Sequence, residues 1–274
     1  MDLRVPVTIA TVYATCVHIA NKSRGPGTPP ARFARTQLFK WLVIAHNLFL
    51  CLYSAWTCLG MSSSIVGTLI DSFRAQQRSS SGVWRGLCSV NEGIWARGLS
   101  YYGFLFYLSK FYEVLDTVII LAKGKRSSVL QTYHHAGAML SMWAGIRFAS
   151  PPIWIFVVFN SLIHTLMYLY YTLTGLNIRA PKAVKRALTT AQICQFVFGG
   201  SLAFAHLFVY YFDPSISGYT SCLTNSGQTF ALFFILLYLA PLTYLFVGFW
   251  IESYVLGKPK GKAVEKEKAV KSVE

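Results

Sequence analysis

Apolar side chains fill the chain in runs of about 20 residues, and each run ends at charged residues or at a Pro/Gly cluster. A helix that crosses the hydrocarbon core of a bilayer needs about 20 apolar residues. The pattern therefore predicts an all-α integral membrane protein with seven transmembrane helices. The predicted spans cover residues 5–20, 38–60, 98–122, 130–148, 151–173, 187–212 and 228–255.

The composition supports a membrane protein. Of the 274 residues, 54% are hydrophobic and 13% are charged, whereas about 25% of the residues in soluble domains are charged. The seven predicted spans leave few residues outside the membrane, which excludes a large soluble catalytic domain. We expect one membrane domain over residues 1–256 and a basic, disordered cytosolic tail over residues 257–274.

The net charge of +15 would indicate nucleic-acid binding in a soluble protein. With seven alternating spans, however, 17 Lys and Arg residues fall on one side of the membrane and six on the other. The positive-inside rule then predicts a lumenal N-terminus and a cytosolic C-terminus, and no nucleic acid is needed. A cleaved signal peptide is an alternative for the first span, but Asp2 and the cations after that span favour an uncleaved helix.

Charged residues at membrane depth are costly and usually functional. The third span contains KFYEVLDT, which places Lys110, Glu113 and Asp116 three residues apart along one side of a helix. A structural ion pair between Lys110 and Glu113 is the alternative, and it leaves Asp116 without an evident partner.

Further polar side chains occur at a similar depth in the next three spans. Counted at about 1.5 Å per residue from the cytosolic ends, they form one layer with the charged residues of span three. They are Gln131, His134, His135, Asn160, His164, Tyr168, Gln192 and Gln195. The lumenal half of these spans is apolar, which suits a long apolar ligand with its head group near the cytosol.

A cytosolic rim of cations could bind a phosphate-bearing head group, although positive-inside bias alone also explains it. The rim comprises Lys123, Lys125, Arg126, Arg179, Lys182, Lys185 and Arg186.

The histidines suggest two kinds of chemistry. A di-iron centre needs more ligands than the three histidines of the layer supply, so we expect no metal and no cofactor. Acyl transfer through a neutral imidazole fits better, with a carboxylate such as Asp116 setting its tautomer. A seven-span receptor or transporter, using the layer for binding or proton relay, is the competing hypothesis.

Four segments, in this order, resemble the motifs of the membrane fatty-acid elongases (very-long-chain 3-oxoacyl-CoA synthases): KFYEVLDT, RSSVLQTYHH, NSLIHTLMYLYY and TTAQICQF. The resemblance spans roughly residues 38–255. It implies an endoplasmic-reticulum enzyme whose helices two to seven enclose an acyl tunnel. The implied reaction condenses acyl-CoA with malonyl-CoA to 3-oxoacyl-CoA, CO2 and CoA.

By position, the resemblance makes His134 the nucleophile that accepts the acyl chain. It places His164 opposite, at the reacting carbonyl, and gives His135 and Asp116 orienting or proton-handling roles. Hydrogen bonds to the substrate or the histidines would come from Asn160, Gln192 and Gln195.

The cysteines of the two lumenal loops, Cys88 and Cys222, could form a disulfide or remain free thiols on the evidence of topology alone. The family's lumenal disulfide matches both positions, which implies the bridge. The remaining four cysteines fall within spans.

Two departures from the family pattern bear on substrate and location. Gln131 stands where the histidine box often begins with His, and in the family this goes with polyunsaturated substrates. The dilysine retrieval signal is imperfect, since Lys271 is the fourth residue from the end but the third and fifth residues from the end are not lysines. Association with the other enzymes of the elongation cycle would also retain the protein in the membrane, and a homodimer stays open.

Overall fold

The computed structural model describes residues 1–25, 27–74 and 80–256. The predicted tail, residues 257–274, lies outside the described residues. In these ranges the protein is α-helical apart from one β-hairpin. The helices are α1 Arg4–Lys22, α2 Gln37–Arg74, α3 Ser80–Cys88, α4 Ser100–Tyr112, α5 Val114–Ala122, α6 Val129–Arg147, α7 Ile153–Gly175, α8 Lys182–Ala205 and α9 Ser226–Trp250.

Short segments of other helical type extend these elements. The 3₁₀ turns are Arg32–Arg35 and His206–Phe208, and the π-helical turns are Trp95–Leu99, before α4, and Ile251–Val255, after α9.

Helices occupy all seven predicted spans. Four of them are long and apolar enough to cross a membrane, judged by length and composition: Gln37–Arg74, Ile153–Gly175, Lys182–Phe208 and Ser226–Val255. The polar residues of the candidate site lower the apolar character of α6. The count of seven spans stays a prediction.

Helix α2 is longer than predicted, because residues 61–74 continue it rather than forming a loop. Ser64, Thr68 and Ser72 each donate a side-chain hydrogen bond to the carbonyl four residues earlier. These polar side chains are thereby satisfied within the helix, and Met61, Ser64 and Thr68 form a buried stripe.

The sixth predicted span is wrong at its end. Residues Tyr210–Asp213 form strand β1, which pairs antiparallel with β2, Gly218–Ser221. The turn between the strands contains Pro214 and Ser215, which favour a turn over a helix. Hydrogen bonds from Ser215 hold the pKa of Asp213 below its usual value.

A disulfide joins this hairpin region to the end of α3. It links Cys88 with Cys222, both buried, and Tyr211 of β1 packs against them. We call this side of the bundle, where α6 ends and α9 begins, the hairpin end.

The opposite side, which we call the basic end, contains the connection between α5 and α6. Its cations Lys123, Lys125 and Arg126 are exposed. Gly124 turns the chain here at φ +74°, and a side chain on it would collide with the carbonyl oxygen of Thr28. The connection is therefore held against the segment that follows α1.

The bundle core lies between these two ends. Helix α2 packs along α7, α6 packs against α1 and α9, and α8 packs between α7 and α9. The largest buried cluster joins α2, the π turn and helices α4, α6, α7, α8 and α9. It surrounds the pocket that holds the candidate site.

Candidate active site

The paired histidines lie in the first turns of α6, which begins where the side chain of Ser128 accepts a hydrogen bond from the backbone N–H of Gln131 at 3.1 Å. Consecutive helical residues point about 100° apart. As a result His134 lines the central pocket, whereas the adjacent His135 packs edge-on against Tyr13 of α1.

Tyr238 of α9 fixes the tautomer of His134. Its hydroxyl donates a hydrogen bond to the backbone carbonyl of His134 at 3.1 Å and lies 3.0 Å from Nδ1 of the same residue. A hydroxyl has one proton to donate, so both hydrogen bonds form together only in the tautomer in which the hydroxyl accepts from Nδ1–H. Neutral His134 therefore carries its free lone pair on Nε2, for which the described residues provide no hydrogen-bond partner.

A glycine makes this contact possible. Gly137 lies on α6 beside the Tyr238 ring, and a Cβ at this position would overlap the ring carbons. The ring of Tyr133 stacks on the Tyr238 ring, and the Tyr133 hydroxyl donates to the backbone carbonyl of Tyr238 at 3.2 Å.

Lys110 and Glu113 form a buried ion pair where α4 meets α5. Lys110 Nζ lies 2.8 Å from Glu113 Oε1 and 3.1 Å from Oδ1 of Asn160 on α7. Both charged residues are 2% exposed. The ion pair considered from sequence as an alternative is thus present, and Lys110 also lines the pocket.

His164 faces His134 across the site, with ring centroids 6.4 Å apart. Its Nδ1 lies 3.6 Å from Glu113 Oε1, too far for a hydrogen bond, and it has no other partner among the described residues. Its ring packs edge-on against Tyr168. One acidic group and two imidazoles therefore lie close together, and of these three only His134 lines the pocket.

Asp116 is not hydrogen-bonded to the paired histidines, contrary to expectation. Its two carboxylate oxygens are instead bound by Tyr168, whose hydroxyl donates at 2.6 Å, and by His46 Nε2 at 2.9 Å. His46 lies on α2, and it is the partner that the sequence interpretation did not provide. The sequence signal for His46 is a histidine within an apolar span, at a position outside the four motifs.

Gln131 also turns away from the pocket. Its Nε2 donates to Thr117 Oγ1 at 3.1 Å, and Thr117 in turn lies 2.8 Å from the hydroxyl of Tyr13. These contacts attach α1 to the back of the site.

The two glutamines of α8 differ. Gln192 contacts Met167 Sδ at 3.6 Å, whereas Gln195 lines the pocket with its Oε1 buried and without a hydrogen-bond partner in the described residues.

The pocket lies between α4, α6, α7, α8 and α9. Of the predicted site residues in the described part of the chain, those lining it are Lys110, His134, Asn160 and Gln195. Its remaining walls are mainly apolar: Phe106, Ala138, Met142, Ile153, Phe156, Phe159, Phe196, Ile235, Leu239 and Leu242. The arrangement offers an imidazole nitrogen, a cation and an amide in the wall of a mainly apolar chamber.

The predicted cations at the rim lie outside this chamber. Lys123, Lys125, Arg126 and Lys182 are exposed at the basic end, and Arg126 Nε donates to the carbonyl of Arg24. Within the described ranges, no group of three His, Cys, Asp or Glu side chains is placed to hold a metal ion.

Comparison with known proteins decides the family. The model of the GNS1/SUR4 (ELO) family matches residues 1–262. The chain belongs to the GNS1/SUR4 family. Membership confirms the resemblance found in the four motifs.

Three relatives illustrate the similarity. Fatty acid elongase 2 of Trypanosoma brucei brucei is 28% identical over 251 residues, which cover 89% of this chain and 87% of that protein. Long chain fatty acid elongase 1 of Caenorhabditis elegans is 30% identical over 232 residues, which cover 81% of this chain and 72% of that protein. Very long chain fatty acid elongase 1 of Mus musculus is 35% identical over 170 residues, which cover 60% of this chain and 57% of that protein. No solved structure gives a significant match.

In this member of the GNS1/SUR4 family, the four motifs converge on one site. KFYEVLDT supplies the ion pair and Asp116, the histidine box supplies His134, and the third and fourth motifs supply His164 and Gln195. Tyr238 and His46 complete the site from helices that carry none of these motifs.

Proposed function

We propose that the protein condenses a long-chain acyl-CoA with malonyl-CoA to give 3-oxoacyl-CoA, CO2 and free CoA through an acyl-histidine intermediate. Its family and its relatives make it an enzyme of fatty acid elongation. The observation that carries the mechanism is the state of His134. Its Nδ1 lies against the Tyr238 hydroxyl, its Nε2 has no hydrogen-bond partner among the described residues, and its side chain lines a mainly apolar pocket.

In the first half-reaction, Nε2 of His134 attacks the carbonyl carbon of the acyl thioester. Neutral imidazole is a competent nucleophile near pH 7. The carbon–sulfur bond breaks, and the CoA thiolate leaves with the proton that Nδ1 releases on acylation. The acyl chain is then bonded to His134 and extends into the apolar chamber.

In the second half-reaction, malonyl-CoA loses its free carboxylate as CO2. The electron pair of the broken carbon–carbon bond forms a new bond to the acyl carbon, and the carbon–nitrogen bond to His134 breaks. The imidazole recovers one proton from solvent, which restores the neutral nucleophile.

Charge on the reacting carbonyl oxygens needs preorganised donors. We assign this role to His164, which faces His134, and to Lys110 and Asn160, which line the pocket. Asp116 and His135 contact His46, Tyr168 and Tyr13 on the side away from the pocket lining, so we assign them positioning roles. Tyr168, which joins Asp116 to the ring of His164, belongs to the same group.

The substrate is a long apolar chain with a phosphate-bearing head group. The apolar chamber suits the chain, and the exposed cations at the basic end suit the phosphates of CoA. For the chain itself we propose a polyunsaturated acyl group, on the basis of Gln131 in the histidine box. Since Gln131 hydrogen-bonds Thr117, it would act on selectivity through the packing of α5 and α6.

We also propose seven spans in the endoplasmic-reticulum membrane, with the N-terminus lumenal and the C-terminus cytosolic. The Cys88–Cys222 disulfide and the exposed cations lie at opposite ends of the bundle, which supports an oxidising compartment at the hairpin end. The product must be reduced, dehydrated and reduced again, so the enzymes of those steps are the expected partners.

The decisive experiment incubates the purified protein with acyl-CoA in the absence of malonyl-CoA and measures its intact mass. We expect an increase equal to one acyl group that peptide mapping places on His134, and its loss when malonyl-CoA is added. The variant His134→Ala should form no adduct and no elongated product, whereas His18→Ala, which alters an exposed histidine of α1, should behave as wild type. An adduct on another residue, or elongation by His134→Ala, would refute the mechanism.

A further inference from the structure

One hydroxyl group lies in the apolar part of the pocket without a hydrogen-bond partner. It belongs to Ser141, which lines the pocket on α6 and is 4% exposed. No described residue hydrogen-bonds its Oγ. Burying a hydroxyl without a partner costs roughly 1–3 kcal/mol, so a ligand that accepts its proton would be favoured.

The position of Ser141 relative to the nucleophile sets where such a ligand group must lie. Ser141 follows His134 by seven residues, which is two turns along the same face of α6, or about 10 Å towards the hairpin end. A carbon–carbon bond of about 1.5 Å advances an extended chain by roughly 1.25 Å. The Ser141 hydroxyl therefore lies beside approximately the eighth to tenth carbon of a chain bonded to His134.

The surroundings of Ser141 limit the chemistry of that group. The pocket walls contributed by the neighbouring helices include Phe106, Phe196 and Leu239. A strongly polar substituent would have to be desolvated among these side chains. The π-electrons of a carbon–carbon double bond accept a weak hydrogen bond and remain apolar.

We infer that Ser141 forms a subsite for a cis double bond in the middle of the acyl chain. The hydroxyl donates to the π-face of a double bond near carbon nine and makes no comparable contact with a saturated chain. Selectivity for unsaturated chains then arises inside the pocket, on the helix that carries the nucleophile. This inference rests on the proposed elongase reaction and specifies its substrate.

Ser161 provides a matched control. It lies on α7, is fully buried and also has an Oγ without a partner in the described residues, but it does not line the pocket. Removing either hydroxyl removes the same chemical group from the protein interior. Only Ser141 is placed to contact the chain.

The experiment measures competition between two 18-carbon acyl-CoAs, one saturated and one with a single cis double bond at carbon nine, for elongation by purified enzyme. Wild type should prefer the unsaturated chain, and Ser141→Ala should lower that preference roughly two- to fivefold. Ser141→Cys, a weaker donor, should fall between them. Ser161→Ala should keep the wild-type preference, and moving the double bond to carbon 15 should abolish the difference between wild type and Ser141→Ala.

The outcomes separate the subsite from the reaction. If Ser141→Ala elongates both chains with the wild-type preference, or slows both equally, the subsite is wrong and the elongase reaction stands. If Ser161→Ala shifts the preference as much as Ser141→Ala, the effect comes from packing and the subsite is again wrong. If wild type elongates neither these chains nor any other, the proposed function and the subsite both fail.

Discussion

His46 on α2 and Asp116 on α5 are joined side chain to side chain, with Nε2 2.9 Å from Oδ1. Tyr168 of α7 binds the other carboxylate oxygen, so the carboxylate connects three helices behind the reacting groups. The Tyr168 ring packs against His164. A residue of α2 thus supports the position of His164, which faces His134.

We predict that His46→Phe destabilises the protein and slows elongation. Asp116 would lose one of two partners in a partly buried position, which should lower the free energy of unfolding by about 1–3 kcal/mol. A fall in kcat with little change in KM is expected, because Tyr168 and His164 would be less well positioned. Thermal unfolding in detergent and steady-state kinetics measure both effects. His18→Phe is the control, and equal behaviour of the two variants would remove the role of His46.

Tyr238→Phe should impair catalysis without unfolding the protein. The variant keeps the ring and loses the hydroxyl that makes Nε2 of His134 the free nitrogen, so we expect kcat to fall roughly 10-fold or more. The rate of acyl-adduct formation, followed by intact mass, reports this step directly. Tyr133→Phe alters the stacked neighbour and should retain most activity. An unaltered acylation rate in Tyr238→Phe would show that the tautomer is set in another way.

The Lys110–Glu113 pair should behave as a unit. Lys110→Met leaves a carboxylate buried without its cation, and Glu113→Gln leaves a buried cation, so each should cost about 3–5 kcal/mol. The double variant removes both charges, and its loss of stability should be clearly smaller than the sum of the single losses. The double-mutant cycle compares the melting temperatures of the wild type, the two single variants and the double variant. We expect low activity in all three variants. Additive losses of stability would mean that the two charges do not interact.

The disulfide should contribute strongly to stability, because it closes a loop with a sequence separation of 134 residues. Its removal by Cys88→Ser is expected to cost about 2–5 kcal/mol. A reducing agent should lower the melting temperature of wild type and leave that of Cys88→Ser unchanged. Cys58→Ser, at a free cysteine of α2, should respond to the reducing agent as wild type does. A wild type insensitive to reduction would contradict the prediction.

Apolar runs and four polar motifs were enough to place the helices and most of the site, because helix period and the cost of buried charge are local properties of the sequence. They were not enough to predict that residues 61–74 continue α2. The polar serine and threonine side chains of this segment are typical of a loop, but they hydrogen-bond to backbone carbonyls of the helix. Residues 210–212 were assigned to the sixth span because they continue its apolar run, whereas in the structure they pair with β2 beyond the turn.

The partners of the site residues were harder to predict, for a different reason. Tyr238 reaches His134 across 104 positions of sequence, and His46 reaches Asp116 across 70. Such contacts depend on how the helices rotate about their axes, which a single sequence does not determine. Burial of a lone histidine in an apolar span was a usable signal for His46, whereas a tyrosine among the apolar residues of α9 gave none.

The contact between Tyr238 and His134 depends on the absence of a side chain at Gly137. The Tyr238 hydroxyl reaches the imidazole because its ring occupies the space that a Cβ on Gly137 would fill. A screen for inactive but folded variants should therefore select substitutions at a residue that has no side chain and performs no chemistry. The contact between Tyr238 and His134 thus depends on the missing side chain of a residue one helical turn away.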